Sequence, residues 1–280
     1  MRSSAARQVA GRWVVNYKAV HVFRASEERV MKRIGWFTTA RGPGSHGLFT
    51  AILDLLDSGE IDAQISFIFI NRDVKGNQYR AQVIKMAEDR GIPVVILPSD
   101  AFMPELKGKD ISAWRDAYGE EMRRRIAPYK MDFGVLAGYM LIIDPETCRR
   151  YSLINLHPAL PDTYKGTWEE IVRVVVENKD DRYGSTVHVC SPELDCGDAI
   201  TYDSFDVTEL REGTHSEEEL VQRIRAKEVR REAPLLMETI RLIVNGDILL
   251  KSGCVYDRQG RKVGGPANLA DDITGKLQKS

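Results

Sequence analysis

The chain has 280 residues, 43% hydrophobic and 29% charged, with 40 basic against 41 acidic side chains and a net charge of −1. That length holds one large α/β domain or two small ones with a true core, while the balanced charge argues against a nucleic-acid or membrane-surface partner. No apolar run reaches the ~20 residues of a membrane helix, no secretory leader is evident, and the four cysteines, Cys148, Cys190, Cys196 and Cys254, form no C-x-x-C pair, which fits free thiols in a cytoplasmic setting.

Residues 1–32 mix Arg, Ser, Val and Trp without a clear period and read as an N-terminal extension. From residue 33 strand and helix signals alternate. Ile34 to Thr39 reads as a short buried strand. It runs into a glycine-rich turn, Ala40 to Gly47, after which Leu48, Ile52, Leu55 and Leu56 fall at helical spacing. Strand, glycine loop and helix open a βαβ unit. Ile65 to Ile70 is a nearly continuous apolar run, as a parallel strand covered on both faces requires. A helix follows from Asn77 to Arg90, ended by Gly91 with Pro93 beyond, then a strand from Pro93 to Leu97. Ile111 to Ile126 has the pattern of a long amphipathic helix, and Asp132 to Ala137 that of another buried strand. A short segment follows Pro145, then a strand over Ser152 to Asn155, a loop from Pro158 to Gly166, and a helix from Thr167 to Glu177. Strands are expected at Ser185 to Cys190 and Ala199 to Phe205. A last long helix spans about Ser216 to Asn245, with Pro234 inside it lacking the normal backbone donor. Gly246-Asp247 suggests a turn into a small ribbon over Ile248 to Val255. The basic runs Arg123-Arg124-Arg125 and Arg230-Arg231 read as solvated helix faces. The stretch 261–280 reads as a fraying tail. The pattern as a whole is α/β, a doubly wound, mostly parallel sheet with a C-terminal helix and a short β-ribbon.

In open α/β sheets ligands bind beyond the carboxyl ends of the strands. Four segments leave such ends here: loop 40–47, Gly138 to Ile143, Asn155 to His157, and Cys190 to Asp198. Asn155 and His157 are two apart, so a strand places them on one side. An amide N–H suits a developing oxyanion, and an imidazole can carry a proton near neutral pH. By itself such a histidine also suits a packed turn. Asp195 could favour the imidazolium of His157 if the two meet; next to Cys196-Gly197 it is equally an ordinary turn residue. His188 alternates with Thr186 and Cys190 in a strand and reads as structural. His46 either touches an anion or caps a helix. Cys190 and Cys196 have no matching Cys/His pair at zinc spacing, so no metal is expected.

Ile154-Asn155-Leu156-His157-Pro158-Ala159-Leu160-Pro161, with Tyr164-Lys165-Gly166 after it, resembles the signature of the folate-dependent formyltransferases. So do Gly184-Ser185-Thr186-Val187-His188-Val189 and the later Glu193-Leu194-Asp195-Cys196-Gly197-Asp198. Val135 to Met140 and Trp114-Arg115-Asp116-Ala117-Tyr118 extend the similarity over roughly residues 33 to 260. Within the family the chain is most similar to members that formylate glycinamide ribonucleotide in purine synthesis. The resemblance implies the Rossmann-like fold of that family, a catalytic domain over 33–260, and small-molecule substrates with 10-formyltetrahydrofolate as cosubstrate. It implies Asn155, His157 and Asp195 as the catalytic group. Arg115, Met140, Leu141, Ile142, Ile143 and Asn155 would hold the folate, and Gly44, Ser45 and His46 the substrate phosphate, at a helix N-terminus. The chain departs from the family in loop 40–47, which lacks an expected Asn, and at Leu141, which replaces an expected Arg.

Other readings share this pattern: transfer to an amino-sugar nucleotide, hydrolysis of formyltetrahydrofolate, or a non-catalytic folate-binding module on the same fold. The hydrolase is expected to carry a regulatory domain longer than 32 residues ahead of the catalytic one, and a transferase acting on initiator tRNA a basic C-terminal domain. The sequence leaves the oligomeric state open, a homodimer included.

Overall fold

The computed structural model describes residues 31–192, 197–251 and 253–279, together with the backbone of a two-residue pairing, β1 (Gln8–Val9) with β2 (Arg12–Trp13). Its centre is an eight-stranded sheet in the order β12-β9-β8-β7-β6-β3-β4-β5. The central strand β3 (Lys32–Thr38) pairs in parallel with β4 (Ala63–Ile70) on one side and β6 (Phe133–Leu136) on the other. Beyond β4 lies β5 (Val94–Ile96), and beyond β6 lies β7 (Leu153–His157), both parallel. The β8 strand (Arg182–Val189) runs antiparallel to β7 and to β9 (Ala199–Asp206). The chain therefore winds outward from β3 in both directions, and the switch lies between β3 and β6, where such sheets bind ligands.

Strand β3 shows why the sheet is covered on both faces. Ile34 and Trp36 enter one apolar cluster and Phe37 another, as period two requires. The first cluster is built under α1 (Pro43–Asp57), α2 (Gln78–Glu88) and the second half of α8 (Glu217–Val244). The second is aromatic-rich, with Phe37, Phe67 and Phe69 against Trp114 and Tyr118 of α4 (Ile111–Ile126). Glycines make that face fit. A Cβ on Gly35 would lie 2.3 Å from Met131 Sδ, and one on Gly134 2.5 Å from a Leu153 methyl. A third cluster joins α6 (Trp168–Glu177), β8, β9 and the first half of α8.

Several expectations shift by a few residues. The glycine-rich stretch 40–47 is mostly helix: Gly42 is the N-cap and Pro43 opens α1, because proline is pre-set for a first helical turn and loses no bond there. Gly44, Ser45 and His46 thus belong to the first turns of a helix rather than to a loop. Two short helices, α3 (Pro104–Lys109) and α7 (Thr208–Arg211), have no counterpart in the sequence reading, and α5 (Pro145–Arg150) is the segment after Pro145. The α8 helix runs on through Pro234 for 28 residues.

The basic runs are not solvated faces throughout. Arg123 bonds Asp144 at 2.5 Å, and buried Arg231 makes two bonds of 2.6 and 2.7 Å to buried Asp203. Apolar neighbours on α4 and α8 draw these residues inward, and each is met by a carboxylate, without which burial would be prohibitive. The ribbon forms as β10 (Ile248–Lys251) with β11 (Cys254–Asp257). The stretch after Gly260 does not fray. Its β12 (Ala267–Asn268) adds a parallel edge to β9, and α9 (Ala270–Leu277) follows, with buried Ile273 in the first cluster and Thr274 accepting from Arg231. A single buried isoleucine and a cation reaching across from α8 were not visible as a period in so short a segment. No helix of the described residues is long and apolar enough to cross a membrane.

Candidate active site

At the switch point the backbone is tied by side chains. The Thr39 N–H donates to the Gly138 carbonyl at 3.0 Å, and the Met140 N–H to Thr39 Oγ1 at 2.9 Å. Gly138 takes φ +64, and a Cβ there would come 3.2 Å from that of Ser45. This close approach of the β6 exit to the first turn of α1 leaves a cavity of about 430 Å³ beside it.

One wall is apolar: Leu136, Tyr139, Met140, Leu141, Ile142, Ile143 and Cys148. Met140 and Ile142 are 46% and 40% exposed, an unusual placement for large apolar side chains that a bound apolar ring would cover. Asp144 holds the end of this segment. It is buried, caps α5 through Thr147 N at 3.1 Å, and receives Arg123. Burial pushes the Cys148 thiol up to about 11, so it lines the wall as a neutral group.

The polar wall comes from β7 and its partner. Asn155 and His157 both line the cavity, side by side as the period of the strand requires. Antiparallel pairing sets His188 directly opposite Asn155, and Asn155 Nδ2 lies 3.1 Å from His188 Nε2. His188 Nδ1 lies 3.0 Å from the Val189 carbonyl. A carbonyl only accepts, so Nδ1 carries the proton there and Nε2 accepts from the amide. His188 therefore holds Asn155 with its second amide N–H available to the cavity. The reading of His188 as structural missed this role; its spacing in the strand looked ordinary, and only the β7–β8 register reveals the pair.

His157 is 8% exposed, and its Nε2 donates to the Tyr164 carbonyl at 2.8 Å. The loop carrying that carbonyl is pinned: Tyr164 donates to Asp180 at 2.6 Å, which raises the tyrosine's pKa. The His157 ring stands edge-on to His188, with centroids 5.9 Å apart. Asp195, the third catalytic expectation, falls in 193–196, outside the described residues.

The far end of the cavity holds Gly44 and Ser45 with Gly166, Thr167, Trp168, Glu170, Arg225 and Glu232. Thr167 and Glu170 form a reciprocal cap at the start of α6. Arg225 Nη1 bonds Glu228 at 2.6 Å and Glu232 at 2.7 Å, and the guanidinium lies 4.9 Å from the Trp168 ring centroid. Burial, then the charge of Glu232, raises the Glu228 carboxyl to about 7. Tyr183 donates to the Pro158 carbonyl at 2.7 Å and to Glu228 Oε1 at 2.8 Å, and Ser185 donates to the same carboxyl oxygen at 3.2 Å. Arg225, Glu228 and Glu232 recur at i, i+3 and i+7 on α8, a one-face spacing readable in the sequence but not singled out. His46 and Arg115 do not line this cavity. The His46 ring packs against Tyr79 at 6.2 Å, and Arg115 is half-buried on α4, beside the Trp114 that faces the aromatic cluster.

A formyl transferase family model matches residues 42–234, more than half of the chain. The chain belongs to the formyl transferase family. Relatives include the phosphoribosylglycinamide formyltransferase of Escherichia coli K12, 32% identical over 162 residues that make up 57% of this chain and 66% of that protein. The enzyme of the same name from Haemophilus influenzae is 25% identical over 81% of this chain and 93% of its own length. The chain thus spans just under two thirds of the first and nearly all of the second. Among solved structures, glycinamide ribonucleotide transformylase 1 from Symbiobacterium toebii superposes with a TM-score of 0.61 at 24% identity, covering 81% of this chain and 94% of that one. A formyltetrahydrofolate deformylase from Pseudomonas syringae gives 0.61 at 22%, covering 81% and 66%. These likenesses establish the fold of this formyl transferase, a mostly parallel α/β sheet.

Proposed function

We propose that the chain transfers the formyl group of 10-formyltetrahydrofolate to the amine of glycinamide ribonucleotide, as a cytoplasmic enzyme of purine biosynthesis. The names of its relatives support the acceptor. The observation that carries the chemistry is the pair Asn155 and His157, side by side on the cavity wall with Asn155 oriented by His188. The cavity suits a folate: its apolar wall fits a flat ring, and the backbone of Met140 to Ile143 offers polar groups at the ring's edge.

The reaction joins the acceptor amine to the formyl carbon and breaks the bond from that carbon to the folate nitrogen. Negative charge gathers on the formyl oxygen as the amine attacks. The free amide N–H of Asn155 stabilises that charge in a water-poor site. His157 donates the proton that lets the folate nitrogen leave, and the proton lost by the amine restores it. Asp195 is assigned the task of keeping His157 protonated. Met140 to Ile143 with Asn155 are assigned to the folate ring and the Gly44-Ser45 turn to the acceptor phosphate, while Arg115 and His46, which do not line the cavity, are given no contact with either substrate.

The test is product formation with His157→Ala. Loss of a general acid predicts turnover lower by about 10² to 10⁴-fold, with affinity for a folate analogue nearly unchanged because the imidazole acts on developing charge. Wild-type turnover in the variant would remove His157 from the mechanism, and formate release without acceptor would favour hydrolysis.

A further inference from the structure

Met140 to Ile143, which line the apolar wall of the cavity, lie between β6 and α5 and belong to neither. No strand ladder or helix fixes them, so their path is set where the segment is tied at its ends. At the start the Met140 N–H donates to Thr39 Oγ1 at 2.9 Å, and the Tyr139 hydroxyl lies 3.9 Å from Met122 Sδ on α4. At the far end stands Asp144, whose side chain is 1% exposed. Its Oδ1 accepts from Arg123 Nη1 at 2.5 Å and from the Thr147 N–H at 3.1 Å. Its Oδ2 accepts from Thr147 Oγ1 at 2.5 Å, and that hydroxyl in turn accepts from Arg123 Nη1 at 2.6 Å. Arg123, Asp144 and Thr147 thus form a closed ring of bonds between α4 and the start of α5. Gly119, one turn before Arg123 on the same face of α4, makes room for it: a Cβ there would lie 1.8 Å from Asp144 Oδ2.

We propose that Arg123 and Asp144 are positioning residues for the folate: their buried pair fixes the far end of Met140 to Ile143, so that the wall is in place before the cosubstrate arrives. The inference deepens the proposed function and rests on its placement of the folate ring against that segment. A buried ion pair contributes little net stability, because two charges leave water to form it, and the helix that Asp144 caps is only six residues long. What the pair secures is position. Asp144 directly follows Ile143. A carboxylate held by Arg123 and by both the backbone and the hydroxyl of Thr147 therefore sets where the wall ends, as Thr39 and Met122 set where it begins. A wall formed in advance spares the folate the entropy of ordering it on binding. Asn155 and His157 stand on β7, and the acceptor end of the cavity is built from α1, α6 and α8, all outside this ring of bonds. Loosening the ring weakens folate binding and leaves the reacting groups where they are.

The experiment compares wild type with Arg123→Met, Arg123→Lys and Thr147→Val. Arg123→Met leaves Asp144 buried without a cation and lowers stability. Thr147→Val, which keeps the ion pair and removes only the hydroxyl, is therefore the second probe. Melting curves establish that each variant is folded at the assay temperature. Tryptophan fluorescence reads binding of a folate analogue, and steady-state rates give kcat with a separate KM for folate and for acceptor. Loss of a hydrogen bond to a charged group predicts an analogue Kd and a folate KM about 10-fold higher in Arg123→Met and about threefold higher in Thr147→Val. In both, kcat and the acceptor KM should stay within about twofold of wild type. Arg123→Lys, a cation without the planar fork, is expected to recover part of the folate affinity. A fall in kcat with both KM values unchanged would overturn the inference, because a merely structural pair lowers only the folded fraction. Unchanged folate affinity in folded Arg123→Met, or an equal rise in both KM values, would overturn it too. Weaker analogue binding in the variants, with no product from wild type, would sink the proposed reaction while leaving this inference standing. Product formation with unaltered folate affinity would do the reverse.

Discussion

Replacing His188 with Phe tests whether Asn155 is held by its cross-strand neighbour. A larger but still flat aromatic ring replaces the imidazole and both nitrogens are lost, so the 3.1 Å contact with Asn155 Nδ2 and the 3.0 Å contact with the Val189 carbonyl vanish. A side-chain hydrogen bond contributes about 1 kcal/mol net. Loss of that anchor lets the Asn155 amide turn, and turnover should fall about fivefold. Deleting the amide itself with Asn155→Ala removes an oxyanion donor and should lower turnover by about 10² to 10³-fold. The two effects cannot add, because His188 acts through Asn155. The double variant should therefore turn over at the rate of Asn155→Ala alone. Single-turnover rates at saturating folate and acceptor measure all four corners of this cycle. Wild-type rates in His188→Phe, or a double variant about fivefold slower than Asn155→Ala, would refute the orienting role.

Gly119→Ala should destabilise the fold although alanine is the better helix former. On α4 a Cβ at this position would lie 1.8 Å from Asp144 Oδ2, and Asp144 is 2% exposed with its oxygens committed to Arg123 and Thr147. A loss of about 3 kcal/mol in denaturant melts is expected, with weaker folate-analogue binding because Asp144 ends the Met140 to Ile143 wall; a gain in stability would show that the helix moves aside freely. The Glu228 carboxyl supplies a pH signature. It keeps its proton to about pH 7 in the folded protein, whereas an unfolded glutamate loses it near 4.3. Between those values the native state holds the extra proton. Stability from this group is thus full below about 4.3 and lost as pH rises toward about 7, by at most about 1.4 kcal/mol per unit. The difference between wild-type and Glu228→Gln stability curves should slope only in that window, and parallel curves would rule out a protonated Glu228.

The amino-acid sequence by itself determined the class of fold and the placement of Asn155 beside His157 on the cavity wall. Alternating apolar runs and helical periods are local, so β3 with α1, β4, α2, α4 and β7 were legible to within a few residues. Asn155 and His157 were legible as neighbours because a strand of period two puts them on one side whatever surrounds it. The start of α1 was misjudged because Gly42 and Pro43 read alike as a loop and as a helix opening, and the choice rests on the exit of β6 packing against that turn at Gly138. Tertiary structure alone decided the rest. His188 meets Asn155 through the register between β7 and β8, 33 residues apart. The segment from Ala267 to Leu277 gains its order from β9 and Arg231, which no local period announces. Arg225 faces Gly44 across some 180 residues of chain, because α8 and α1 cover the same face of the sheet. A charged residue's neighbours are set by packing rather than by its place in the chain, so the polar end of the cavity could be seen only in the folded molecule.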